Sequence, residues 1–201
     1  MRKFLALAAT VILGGALLIA GCGNDNKQAA SDGKQVLKIG ATAVPHAEIL
    51  EQVKPILAKD GIELKITEFT DYNTPNLALG DKEIDANFFQ HVPYMEEFAK
   101  AHKLDLVSAG GVHLEPMGLY SRKIKDLKDL PKGAKIAIPN DPTNGGRALL
   151  LLQKQGLITL KDSTNILSTV QDITANPNEY QFVELEAAQV PRRSEERRVG
   201  K

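Results

Sequence analysis

The stretch from Val36 to Phe69 limits the folds open to this chain more than any other. Val36-Leu37-Lys38-Ile39-Gly40-Ala41 reads as a strand that ends in small residues. Ile49, Leu50, Val53, Ile56 and Leu57 then recur at the spacing of one helix face, Gly61 supplies a stop, and Leu64 to Phe69 alternates apolar and polar as a second strand. Strand, helix, strand in that order implies a parallel pair joined by a right-handed crossover, with the helix laid on one face of the sheet. Pro55 lies inside the helical segment and is expected to bend or split it.

The alternation continues. Thr70 to Asn76 carries a cap and a proline suited to a first helical position, so Pro75 to Leu79 reads as a short helix. Glu83 to His91 reads as a strand ending in aromatic residues, Val92 to His102 as a helix with Met95, Phe98 and Ala99 toward a core, and Leu104 to Ala109 as a strand stopped by Gly110-Gly111. Gly118 to Ser121 reads as a short strand, Lys125 to Gly133 as a helical turn and a break, Lys135 to Pro139 as a buried strand, and Gln181 to Leu185 as another. Strands alternating with helices place the chain in the α/β class. Its body reads as two successive α/β units that join near Pro116, residues 36–116 and 117–191.

The ends differ from this body. Met1, Arg2 and Lys3 precede the uncharged apolar run Phe4 to Ala20, the pattern of an export signal over residues 1–21, too short for a stable span. Leu18-Ile19-Ala20-Gly21-Cys22 resembles a bacterial lipobox, which would make Cys22 the lipidated N-terminus of an exported, membrane-anchored protein. Cys22 is the only cysteine, so no internal disulfide can form. Residues 22–35 are polar and small and read as a flexible tether. With the signal removed, 23 basic residues face 25 acidic ones, a net charge of −2, and no basic field exists to recruit nucleic acid. Four of the seven arginines fall in residues 192–201, a segment without apolar periodicity that reads as a disordered tail.

Within the body, Asn140-Asp141-Pro142-Thr143-Asn144-Gly145-Gly146-Arg147 separates the Lys135 strand from an Ala/Leu-rich helix that should begin near Thr143 or Asn144. Unpaired N–H groups at such a helix start, two glycines permitting close backbone approach and the forked cation of Arg147 would together seat a carboxylate or phosphate. An ordinary capped strand-to-helix junction with a solvated arginine fits the same residues. His46, His91, His102 and His113 are scattered without ligand spacing, so no metal site is expected. Glu184 and Glu186 alternate on a strand, there is no GxSxG, and the sequence names no catalytic residue and no cofactor.

Several motifs, taken in order, resemble the methionine-binding lipoproteins of bacterial ABC importers, the MetQ/NlpA type. They are the lipobox; Lys38-Ile39-Gly40-Ala41 with Pro45-His46-Ala47-Glu48-Ile49-Leu50; Asp71-Tyr72 with Pro75-Asn76; Asp85-Ala86-Asn87-Phe88-Phe89-Gln90-His91; Asn140 to Leu149; and Glu184 to Arg192. The resemblance implies a type II periplasmic-binding-protein-like fold, in which two α/β lobes close on L-methionine or a close analogue. It also implies hand-over to a membrane permease driven by an ATPase, with no enzymatic activity. A closed cleft must pair the charges of an amino acid or lose several kcal/mol per ion, and Arg147 suits the carboxylate. By the same resemblance Asn144 lies beside it, while Tyr72, Phe88, Phe89 and His91 suit a thioether, since sulfur against aromatic rings gains ~0.3–1.5 kcal/mol. Adjacent on a strand, Phe88 and Phe89 should point to opposite faces.

After Pro191-Arg192 the family pattern continues through a stretch that completes the second lobe, whereas this chain turns to Arg193-Ser194-Glu195-Glu196. The departure reads as a truncated or misassembled frame with an incomplete second lobe. A surface lipoprotein acting as adhesin or interaction module on the same fold is the alternative function, and a lipid-anchored enzyme or metal protein a third.

Overall fold

A computed structural model describes residues 35–193, which fall within one compact unit. The signal segment, Cys22, the tether up to residue 34 and residues 194–201 lie outside the described residues.

Two separate parallel sheets, each with its own core, make this an α/β protein. In the first, β1 (Gln35–Thr42) pairs in parallel with β2 (Ile62–Phe69), from Gln35 opposite Ile62 to Thr42 opposite Phe69. The connection between them is α1 (Glu48–Lys59), the crossover expected from the apolar spacing. On its other side β1 pairs with β3 (Ala86–Phe88), again in parallel, for a strand order β2-β1-β3. Ala41, Ala47, Leu50 and Leu64 are buried between sheet and helix, with Leu37, Ile39, Leu57 and Ile66 closing over them. Each fully buried leucine in such a layer stabilises by roughly 1.5–3 kcal/mol.

Pro55 does not split α1, which runs unbroken from Glu48 to Lys59. Both Pro55 and Glu51 are exposed, so the Glu51 carbonyl that loses its helical partner is met by water at little cost. Ile56, expected on the apolar face, is 58% exposed and sits beside that face instead.

The strand expected over Glu83–His91 shrinks to the three residues of β3. Side-chain hydrogen bonds draw the chain out of the sheet after Phe88. The fully buried Asn76, from α2 (Thr74–Gly80), donates through Nδ2 to Gln90 Oε1 at 2.8 Å, and its Oδ1 accepts from Gln90 Nε2 at 2.7 Å and Asn87 Nδ2 at 2.8 Å. The chain then enters α3 (Val92–His102), where Tyr94 and Phe98 pack with Phe89 in a second buried cluster.

No strand forms at Leu104–Ala109 or Gly118–Ser121, and Val107, Leu114 and Tyr120 on this stretch are 84%, 95% and 86% exposed. A run of β-forming residues becomes a strand only where a neighbour takes up its N–H and C=O groups. Among the described residues none pairs with either segment.

The second sheet pairs β4 (Lys135–Pro139) in parallel with β7 (Gln181–Leu185). Packed against it is α4 (Pro142–Lys154), whose Ala148, Leu149 and Leu152 are buried with Ile136, Ile138, Leu157 and Ile158. A small antiparallel pair, β5 (Thr159–Leu160) with β6 (Ile173–Ala175), flanks this core. The short α5 (Val190–Arg193) contains Arg192 and Arg193, the first two residues of the segment read as a tail. Helices α3 and α4 touch, which brings the aromatic residues near β3 to the Asn140–Arg147 junction.

Candidate ligand-binding site

On the first-sheet side the loop before α2 is locked by Asp71. Its Oδ1 accepts the Asn73 and Thr74 N–H groups at 2.8 and 2.7 Å, and its Oδ2 accepts the Thr74 hydroxyl at 2.7 Å. Tyr94 donates its hydroxyl to the Tyr72 carbonyl at 2.8 Å, tying that loop to α3. Three rings then meet, with centroids 5.9 Å apart for Tyr72 and Phe89, 6.3 Å for Tyr72 and Tyr94, and 6.0 Å for Phe89 and Tyr94. These separations lie within the range of favourable aromatic pairs. Burial, with the Glu115 and Asp141 charges, pushes the Tyr72 phenol up, so it stays a neutral donor.

His91 precedes α3, its ring 6.4 Å from Tyr94. Its Nε2 is buried without a hydrogen-bond partner, an unusual state that leaves the nitrogen's desolvation uncompensated. Burial holds its pKa below the ordinary histidine value, the Arg147 charge lowers it further and Asp141 opposes both. The imidazole is therefore neutral at pH 7, and the two groups that perturb it belong to the β4–α4 junction.

At that junction Asp141 is the N-cap of α4. Its Oδ1 accepts the Asn144 N–H at 2.9 Å and the Thr143 hydroxyl at 3.1 Å, while its Oδ2 accepts from Asn144 Nδ2 at 3.1 Å. Asn144 Oδ1 in turn accepts from Arg147 Nη1 at 3.0 Å, and Arg147 Nη2 donates to the Glu115 carbonyl at 3.1 Å. The seat read from sequence is thereby revised. The helix start is capped by the chain's own carboxylate, leaving the guanidinium as the group that can meet an anion. Nor do the glycines serve ligand approach. A Cβ on Gly145 would lie 2.9 Å from the Pro139 carbonyl oxygen, and one on Gly146 only 1.8 Å from that of Ile166. Both are there because backbone passes against backbone.

The structure brings His91 within electrostatic reach of Arg147 and Tyr72 within that of Asp141, with Phe89 packed on Tyr72. It separates Phe88, whose ring packs edge-on against His46 at 4.7 Å and His113 at 5.6 Å. That division falls where the chain leaves the sheet, since Phe88 is the last residue of β3 and Phe89 lies beyond it. Sequence reasoning missed Tyr94, though its position three residues after His91 on a helix puts it over the same face. Asp141 was legible as a turn residue but not as the acceptor that orients Asn144. Between Tyr72, Tyr94, Asn140, Asp141 and Glu186 lies a cleft of about 30 Å³. A space of that size holds one or two waters, so an amino acid has to widen it.

The NlpA lipoprotein family profile matches residues 37–199. The D-methionine-binding lipoprotein MetQ of Escherichia coli K12 is 42% identical over 200 residues, 98% of this chain and 72% of the relative. The methionine-binding lipoprotein MetQ of Bacillus subtilis is 43% identical over 184 residues, 90% of this chain and 66% of the relative. A nutrient-binding protein of Burkholderia cenocepacia, solved bound to methionine, superposes with a TM-score of 0.75 at 48% identity, covering 78% of this chain and 66% of that one. On the match of profile, sequence and fold alike, this chain belongs to the NlpA lipoprotein family.

Proposed function

We propose that this chain is a substrate-binding lipoprotein that takes methionine, or a close analogue, to an ABC importer, with no catalytic step. The observation that carries the reading is the meeting of an aromatic wall and a positioned guanidinium. Tyr72, Phe89 and Tyr94 suit a thioether side chain, and Arg147, held by Asn144 and the Glu115 carbonyl, suits an α-carboxylate. The unpartnered His91 Nε2 is a further polar atom that a bound ligand would satisfy. Apolar transfer of a methionine-sized side chain supplies roughly 1.5–3 kcal/mol, a fraction of the ~8–12 kcal/mol of micromolar to nanomolar binding, so the charged contacts decide affinity.

Lipidation at Cys22 would hold such a protein at the outer face of a membrane, next to its permease. Among the described residues no helix is long and apolar enough to cross a bilayer, which suits an anchored protein. Calorimetric titration with L- and D-methionine tests the reading. Binding of either enantiomer that is weakened about tenfold or more in Arg147→Ala supports it, and absence of binding by both enantiomers and by methionine-containing dipeptides refutes it.

A further inference from the structure

His46 and His113 lie 67 positions apart in the sequence, yet the fold sets both rings against the carboxylate of Glu115. His113 Nε2 is 2.8 Å and His46 Nε2 3.5 Å from Glu115 Oε1, and one ligand atom from each of the three residues lies within 4.8 Å of the other two. We propose that His46, His113 and Glu115 form a binding site for a divalent transition-metal ion of the zinc class, beside the aromatic cleft and with donors the proposed ligand contacts do not use.

Ligand atoms about 2.0–2.1 Å from a tetrahedral ion lie roughly 3.3 Å from one another, and the separations here bracket that spacing. Two imidazoles and one carboxylate with a fourth position left to solvent is a donor set that zinc, cobalt(II) or nickel(II) accepts and that calcium and magnesium, which take oxygen ligands, do not.

The site is also prepared. His46 is 5% exposed, and its Nδ1 lies 2.7 Å from Thr42 Oγ1. With Nδ1–H donating to that hydroxyl, the Nε2 lone pair points to the Glu115 side, the outer hydrogen bond that metal-ligating histidines characteristically make. The Phe88 ring packs edge-on against both imidazoles and fixes their planes. The His113 and Glu115 side chains are 27% and 52% accessible, which gives an ion a way in.

The test uses the untagged chain in a Cys22→Ser background, so that no thiolate competes, titrated with Co²⁺ after stripping with chelator. Intense visible ligand-field bands of a tetrahedral site, erased by one equivalent of Zn²⁺, are the expected result. His113→Ala and Glu115→Gln, both at accessible positions, should each weaken binding at least tenfold, and Thr42→Val by about tenfold through loss of the outer hydrogen bond. A pale octahedral spectrum, or affinity unchanged in both His113→Ala and Glu115→Gln, would overturn the proposal. Because the readout is the metal spectrum, either outcome is independent of whether methionine binds.

Discussion

Two junctions in this protein share a topology and differ in chemistry. Each leads from the C-terminal end of a parallel strand into a helix packed on the same sheet: β1 into α1, and β4 into α4. At the first, the N-cap of α1 is Ala47, with no side-chain cap, and the buried polar group is His46, oriented by Thr42. At the second, Asp141 caps α4 and orders Thr143, Asn144 and, through Asn144, Arg147. The first junction keeps a ring nitrogen directed at a neighbouring carboxylate, whereas the second turns its carboxylate onto the backbone and side chains of its own helix start and projects a cation. The end of a parallel strand is thus a place where a site can be built, while the residues in the turn decide which charge it offers.

The largest effect should come from crowding the second junction. Gly146→Ala would drive a Cβ into the Ile166 carbonyl, and backbone cannot swing aside as a flexible side chain can. A loss of ~3 kcal/mol or more is expected in urea unfolding, at the upper end of overpacking effects. Gly145→Ala, with 2.9 Å to the Pro139 oxygen, should cost less. If the two variants prove equally stable, the close-packing account of this junction fails.

Next in size is Arg147→Ala. It removes a charged donor from the proposed ligand and should weaken methionine binding by about 10–100-fold, the range of one hydrogen bond to a charged group. Tm should change little, because the guanidinium is only half-buried. Unaltered affinity by calorimetry would detach the second junction from ligand recognition.

Asp141→Ala separates capping from recognition. Loss of the cap should cost ~1 kcal/mol in equilibrium unfolding, and freeing Asn144 should also weaken the ligand through Arg147. At the first junction, where α1 has no side-chain cap to lose, Thr42→Val should leave methionine affinity unchanged. A matching loss of affinity in Thr42→Val would remove the contrast between the two.

The smallest expected effect is the pH dependence. His46 and His91 both have pKa values lowered on folding, chiefly by burial. Protons therefore bind the unfolded chain more readily, and the neutral rings contribute stability that is complete above the unfolded value near 6.5 and is lost as pH falls through that value toward the lower folded ones. Unfolding free energies measured from pH 7.5 down to pH 5 should fall, and less steeply in His91→Gln. At His46 the opposing Glu115 charge works against the loss, so His46→Gln should change the slope less.

Much of the architecture could be read directly, because its signals are local. The 3.6-residue spacing of α1 and α3, the alternation of β2 and the cap-and-proline start of α2 each depend on a few neighbouring residues. Expectations failed where partners decide. Leu104–Ala109 has β-forming residues but no neighbouring strand among those described, and Glu83–His91 is shortened by amide side chains from another helix. The candidate site divides in the same way. Order along the chain singled out Tyr72, Phe89, His91, Asn144 and Arg147, but nothing local showed that Phe88 would turn toward His46 or that Tyr94 would join Tyr72 and Phe89.

The sequence by itself determined the α/β class, the parallel crossover of β1 and β2, and membership in a lipoprotein family. Hydrophobic period and motif order survive in one dimension. Only the tertiary structure decided what the glycine at 146 is for and that His46, His113 and Glu115 converge. Those facts are distances between residues tens of positions apart, set by the packing of α3 on α4 and of each helix on its sheet, and no local pattern encodes them.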